Sequence, residues 1–230
     1  MKSYKNTDII GTSHIAAQSI KEINDYFKKQ KPKHVAVELD AGRLHGLMSK
    51  AKPSLSPSNI LSLGLFGYFF MLIGHILQQK LGRLVGIEPG SDMLHAVRLA
   101  KENKLRVYLI DRDIAVTIRR LSKEFSFREK LRLIWDFLRA PFMRKEFGFE
   151  TNKISLSKVP EKEIIKKILV YLKKRYPGIH KVLIEERNEV MAKRILFLIN
   201  NFPEEKILVV VGAGHEEGLF DIISNTKRKL

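Results

Sequence analysis

The sequence predicts an α/β fold: a mainly parallel central sheet flanked by helices, with a helical insertion. Three observations predict it. Short aliphatic, β-branched runs alternate with longer segments whose apolar residues recur at helical spacing. Such alternation favours parallel pairing, because parallel strands need a crossover connection that a helix supplies. Imidazole or carboxylate residues stand at or just after the ends of the predicted strands, where an open α/β sheet binds ligands.

The 230 residues suffice for one sizeable domain, and we read 1–230 as a single unit with a helical insertion at about 121–178. Asp8-Ile9-Ile10 is a short strand leading into Gly11-Thr12-Ser13-His14. Ser19-Ile20-Lys21-Glu22 has the spacing of a capping box and predicts a helix start, with Ile23, Tyr26 and Phe27 as its apolar stripe. His34-Val35-Ala36-Val37 is a strand that delivers Glu38, followed by a helical turn carrying Arg43 and Leu47. Residues 52–58 form a loop with Ser-Pro punctuation.

Residues 60–77 are almost wholly apolar, at about the minimum length for a membrane span. His75, Ser62 and the glycines at 64, 67 and 74 favour a buried or partly exposed helix, with a span as the alternative. Residues 84–87 are a strand ending at Glu88. Pro89-Gly90 turns the chain and Ser91 caps a helix through Ala100. Residues 105–110 form a strand that delivers Asp111. Phe127, Leu131, Ile134, Trp135 and Leu138 recur at helical spacing, as do Ile164, Ile165, Ile168, Leu169 and Leu172. The segment 141–160 separates the two. Residues 183–202 read as a further helix, and 207–211 as a buried strand that delivers Gly212-Ala213-Gly214-His215. The strandless run 121–177 is expected to pack as a cap or arm, or to mediate homodimerisation.

The net charge of +17 implies attraction to polyanions: nucleic acid, anionic lipid or acidic protein. Basic residues from Lys101 to Lys174 are mixed with acids, so a solvated Lys-rich surface is the plain reading. No RNP motif, zinc knuckle or helix-turn-helix is present, and nucleic acid is not expected as a partner. Peripheral contact with an anionic membrane stays open. The absence of cysteine excludes disulfides and Cys-ligated zinc or iron–sulfur sites, which fits a reducing cytoplasm. The first seven residues are polar and run directly into a strand, so no secretory leader is expected.

His14, Glu38, Glu88, Asp111 and His215 all fall at predicted strand ends. Gly11 and Gly212 come directly off their strands, where a missing side chain permits a sharp turn, and each precedes a histidine by three residues. His14, His215 and Glu38 would form a His₂-carboxylate set able to hold a divalent metal such as Mn²⁺, Co²⁺ or Zn²⁺. Without metal the same groups could serve as acid and base. Asp111 and Glu88 could orient the histidines, or pair with Arg112 or another arginine. Arg43 and Arg187 could hold a substrate carboxylate or oxyanion, or pair with nearby glutamates.

The sequence resembles the TraB/PrgY/GumN family, which includes the Tiki proteases and is more distantly similar to erythromycin esterase-like and ChaN-like proteins. The segments that carry the resemblance are Gly11-Thr12-Ser13-His14, residues 35–40 with Arg43, residues 86–93, residues 109–113, Glu186-Arg187-Asn188 with Met191, and residues 210–215. The resemblance implies a metal-dependent hydrolase of peptide or other amide bonds, using His14, His215 and Glu38 with Mn²⁺ or Co²⁺. It leaves a non-catalytic alternative, since the PrgY and TraB members reduce or shut down peptide pheromone activity, which hydrolysis or sequestration would both achieve. Many prokaryotic relatives carry a hydrophobic region after the last motif; the sequence to Leu230 shows none, and no anchor is expected there. Asp92 stands where the family usually has glutamate, one methylene shorter.

Overall fold

The computed structural model describes residues 1–12, 16–49, 90–139 and 161–226. The architecture is mixed α/β, with a five-stranded, mostly parallel sheet flanked by helices. The strands are β1 (Lys2–Tyr4), β2 (Thr7–Thr12), β3 (His34–Val37), β4 (Arg106–Leu109) and β5 (Ile207–Gly212). Their order is β1-β2-β5-β3-β4, with β1 antiparallel to β2 and every other pair parallel. The C-terminal strand β5 is thus central. It carries Val209 opposite both Ile9 and Ala36, and Val210 opposite Ile10 and Val37.

The apolar strand runs are continuous in sequence because both faces of the sheet are covered. Successive side chains go to opposite faces. Ile9, Ala36, Val209 and Val211 join one core, whereas Ile10, Val35, Val37, Leu208 and Val210 join the other. Helices α1 (Ala16–Gln30) and α3 (Ser91–Glu102) close the second face with Ile23, Tyr26, Met93, Ala96 and Val97. The first face is closed by α8 (Glu186–Asn201) and α9 (Ala213–Asn225), through Met191, Ile195, Leu198, Leu219 and Ile223.

The helix α2 (Ala41–Ser49) follows β3 and carries Arg43. Between β4 and β5 the described elements are all helices: α4 (Ile114–Glu124), α5 (Phe127–Arg139), α6 (Glu161–Arg175), α7 (Pro177–His180), a π-helical turn (Lys181–Glu185) and α8. Leu121, Phe125, Tyr176, Ile179 and Val182 form a separate small core among these helices.

Several sequence expectations need correction. The helix α1 is already formed at Ala16, so Ser19 is a buried residue inside it and not its cap. Gly90, with φ 89°, is the N-cap of α3, and Ser91 is the first helical residue. The helix expected from residue 183 begins at Pro177 and passes through the π turn. Residues 212–215 are not a free turn. Gly212 caps α9 and His215 lies in its first turn. The predicted loop at 52–58, the apolar helix at 60–77, the strand at 84–87 and the break at 141–160 lie outside the described residues. Among those described, no helix is long and apolar enough to cross a membrane.

Candidate functional site

Glu38, the residue after β3, is still in register with β5, its amide donating to the Val210 carbonyl at 3.1 Å. Its side chain reaches across to the start of α9. Oε2 accepts from the Gly212 amide at 2.7 Å. That amide belongs to the N-cap of α9, where unpaired N–H groups and the helix dipole favour a negative charge. Oε1 accepts from Nη2 of Arg187.

Arg187 is the hub of the cluster. It enters at the start of α8, directly after the π turn. Nε and Nη2 form a fork on Asp111, at 3.1 Å to Oδ1 and 2.8 Å to Oδ2. Such bidentate pairing suits the planar guanidinium. Nη1 donates to the Leu183 carbonyl at 3.2 Å and lies 3.1 Å from Nε2 of His215. The π turn widens the helix and makes carbonyls available for this purpose. The neighbouring Val182 carbonyl accepts from Arg112 Nη2 at 2.8 Å, and Arg112 Nη1 donates to Glu186 at 2.9 Å.

His215 completes the cluster. Nδ1 lies 2.6 Å from Oδ1 of Asn188, and Nε2 lies 3.3 Å from Oε1 of Glu38. With Asn188 Oδ1 as acceptor, the neutral ring carries its proton on Nδ1, and the Nε2 lone pair faces Arg187. Two close approaches make room for this. A Cβ on Gly218 would stand 2.4 Å from Nδ2 of Asn188, and one on Gly11 would stand 2.7 Å from Cβ of Glu216, the residue after His215.

Glu38, Asp111, Asn188 and His215 are buried, whereas the Arg43 side chain is 35% exposed at the rim, its Nη1 3.7 Å from Oδ2 of Asp111. Burial pushes the Glu38 carboxyl up, but His215, Arg187, the Gly212 amide and Arg43 outweigh it and bring it down to about 2. Burial lowers the His215 imidazole below its ordinary value, more than the Glu38 carboxylate restores. Burial also works against the Arg187 charge, but Glu38 and Asp111 more than compensate. At neutral pH Glu38 is therefore a carboxylate, Arg187 a guanidinium and His215 a neutral imidazole.

Glu38, Arg187, Asp111 and His215 therefore meet at the carboxyl edge of the sheet, with Arg43 beside them. His14 and Glu88 lie outside the described residues. Asp111 pairs with Arg187 and Arg43 and accepts the Arg112 backbone amide at 2.8 Å, whereas the orienting partner of His215 is Asn188. Asn188 was visible only as part of the Glu186-Arg187-Asn188 segment. Its spacing from Arg187 gives no hint that two adjacent helical residues both reach the same imidazole.

The expected metal set has two of its three donors here. A divalent ion binds imidazole and carboxylate at about 2 Å. Arg187 already approaches both His215 Nε2 and Glu38 Oε1, and the other Glu38 oxygen is held by Gly212. Among the described residues, no group of three metal-ligating side chains converges. As arranged, these residues fit a guanidinium between the carboxylates and the imidazole, and not a second cation.

The sequence matches the family model for the TraB/PrgY/gumN family over residues 2–229. The chain belongs to this family. The uncharacterized protein MJ1365 of Methanocaldococcus jannaschii is 35% identical over 213 residues, which cover 92% of this chain and 51% of that protein. The human TraB domain-containing protein is 24% identical over 242 residues, covering 92% of this chain and 61% of the human one. The mouse TraB domain-containing protein is also 24% identical, with the same coverage. The chain thus spans between about half and three-fifths of the length of these relatives.

Proposed function

We propose that this TraB-family chain is a hydrolase of peptide or other amide bonds, working at the Glu38–Arg187–His215 cluster. The observation that carries the reading is the orientation of His215, with Nδ1 on Asn188 and Nε2 turned toward Glu38 and Arg187. A neutral, oriented imidazole can take a proton from water as that water attacks a carbonyl, and return it to the leaving amine. Arg187 supplies a fixed positive charge for the oxyanion that develops, held in place by Glu38 and Asp111. Arg43, at the rim beside Asp111, would meet a substrate carboxylate.

The metal-dependent form, with Mn²⁺, Co²⁺ or Zn²⁺ on His14, His215 and Glu38, is what the family resemblance implies. It requires Arg187 to withdraw from His215 and Glu38. The test measures metal content of the purified protein and its cleavage of a peptide library, with and without added Mn²⁺ or Co²⁺. Cleavage lost in His215→Gln supports the hydrolase reading. Unchanged cleavage and metal content in that variant overturn it.

A second reading is capture of a peptide without turnover. It is favoured by the way Nε, Nη1 and Nη2 of Arg187 are all engaged inside the chain. Calorimetry with short peptides distinguishes the two: saturable heat with no product is the signature of sequestration.

A further inference from the structure

A surface helix usually docks its apolar stripe and turns its polar residues to water. The helix α5 does the reverse. Its inward positions are Glu129, Leu133 and Asp136. Buried Glu129 accepts from the amides of Ser126 at 3.0 Å and Gly178 at 2.8 Å. Asp136 accepts from Nε of Arg175 at 2.9 Å and from the Tyr176 hydroxyl at 2.6 Å. Leu133 packs against the small core around Leu121 and Tyr176.

The outward positions are apolar. Phe127, Leu131, Ile134 and Trp135 are 73%, 52%, 58% and 53% exposed. They stand at i, i+4, i+7 and i+8, which is one continuous stripe of a helix. Arg128 and Arg139 are exposed along its border, and the Arg139 guanidinium sits 4.6 Å from the centroid of the Trp135 ring. The two acids of this helix, Glu129 and Asp136, both face inward and are paired. An outward apolar stripe whose described border is cationic is the face of a contact surface.

We propose that α5 is a membrane-surface contact, laying Phe127, Leu131, Ile134 and Trp135 into the headgroup–acyl boundary of an anionic bilayer. Charge selects this occupant. The chain carries +17, and the exposed face of α5 adds arginines without a described acid to answer them. Chemistry selects it as well: Trp and Phe beside Leu and Ile, flanked by basic residues, is the composition of helices that lie in the membrane interface. A second copy would bring two such cationic borders together. A nucleic acid would leave Leu131 and Ile134 without an apolar partner.

Trp135 is the only tryptophan of the chain, so its emission reports on this surface alone. The experiment titrates the full chain with vesicles of phosphatidylcholine and of a phosphatidylcholine–phosphatidylglycerol mixture. The expected result is a blue shift and co-sedimentation with the anionic vesicles, and neither with the zwitterionic ones. The double variant Leu131→Glu, Ile134→Glu, with its fold checked by circular dichroism, should lose both. Arg128→Gln and Arg139→Gln should each weaken binding about fivefold. No shift with anionic vesicles at low salt overturns the proposal, as does vesicle binding that the double variant leaves unchanged. A lipid-free blue shift that grows with protein concentration also overturns it, and assigns the stripe to a second copy.

Discussion

The carboxyl edge of the sheet and the helix α5 both reverse the usual partition of residues, in opposite directions. At the sheet edge, Glu38, Asp111 and His215 are buried. On α5, four large apolar side chains face outward while Glu129 and Asp136 face inward. The buried charges are tolerated because Arg187, the Gly212 amide and Asn188 return the hydrogen bonds lost from water. The exposed stripe has no such internal answer among the described residues. An inversion completed inside the chain makes a self-contained site, and one left incomplete asks for a partner outside it.

The largest break in that comparison is Arg187→Ala. It would strand Glu38 and Asp111 as buried carboxylates without their shared cation. Removing one member of such a buried pair costs about 3–5 kcal/mol. Thermal unfolding should shift down by roughly 10 °C for a chain of this size, and any cleavage or peptide binding at the site should vanish. Arg187→Lys keeps the charge but not the fork, and should recover only part of the loss.

A smaller effect is expected where the imidazole is oriented. Asn188→Ala removes the acceptor for Nδ1 and should cost about 1–3 kcal/mol in chemical denaturation. Gly218→Ala should act in the same direction, because its new Cβ would displace the Asn188 amide. Both should alter the pH profile of activity. A merely structural role for Asn188 would lower stability and leave that profile in place.

Acid should expose the sheet-edge cluster in two steps. The folded value of His215 lies below its ordinary 6.5, so the unfolded chain takes up this proton first and stability falls as pH drops below 6.5. Glu38 lies at about 2 against an ordinary 4.5. Its contribution is complete above pH 4.5 and is lost as pH falls toward 2. Melting temperatures measured across this range should decline in both windows, and His215→Gln should make the first decline smaller, the rest of it coming from His95 and His180, which burial also lowers.

The smallest expected effect belongs to α5. Leu131→Ser touches no buried contact and should change stability by no more than about 0.5 kcal/mol. Leu133→Ala, two positions along but turned inward, should cost more than its exposed neighbour. Equal losses for the two in urea unfolding would mean that the stripe is packed, and would erase the contrast.

Much of the frame was legible in the sequence. The run His34-Val35-Ala36-Val37 is continuous, apolar and followed by a carboxylate, and the strand β3 has those same bounds. Residues 207–211 were readable as a strand for the same reason, and Glu38, Asp111, Arg187 and His215 were readable as strand-end or motif residues. The helix ends were less legible. Ser19 had the capping pattern, yet burial within α1 overrode that local preference.

By itself, the sequence determined the α/β class, the parallel strands and that Glu38 and Asp111 stand at the ends of two of them, because periodicity and strand-end position are local properties. The tertiary structure alone decided the partners. The strand β5 lies between β2 and β3, which brings His215 to Glu38 although 177 positions separate them in the chain. Only the packed helix, with its π turn, carries Arg187 between Glu38, Asp111 and His215. Only packing turned the polar side of α5 inward. An amphipathic pattern states that a helix has two faces; which one is buried depends on whether the neighbours offer apolar surface or, as Arg175, Tyr176 and Gly178 do here, hydrogen-bond donors.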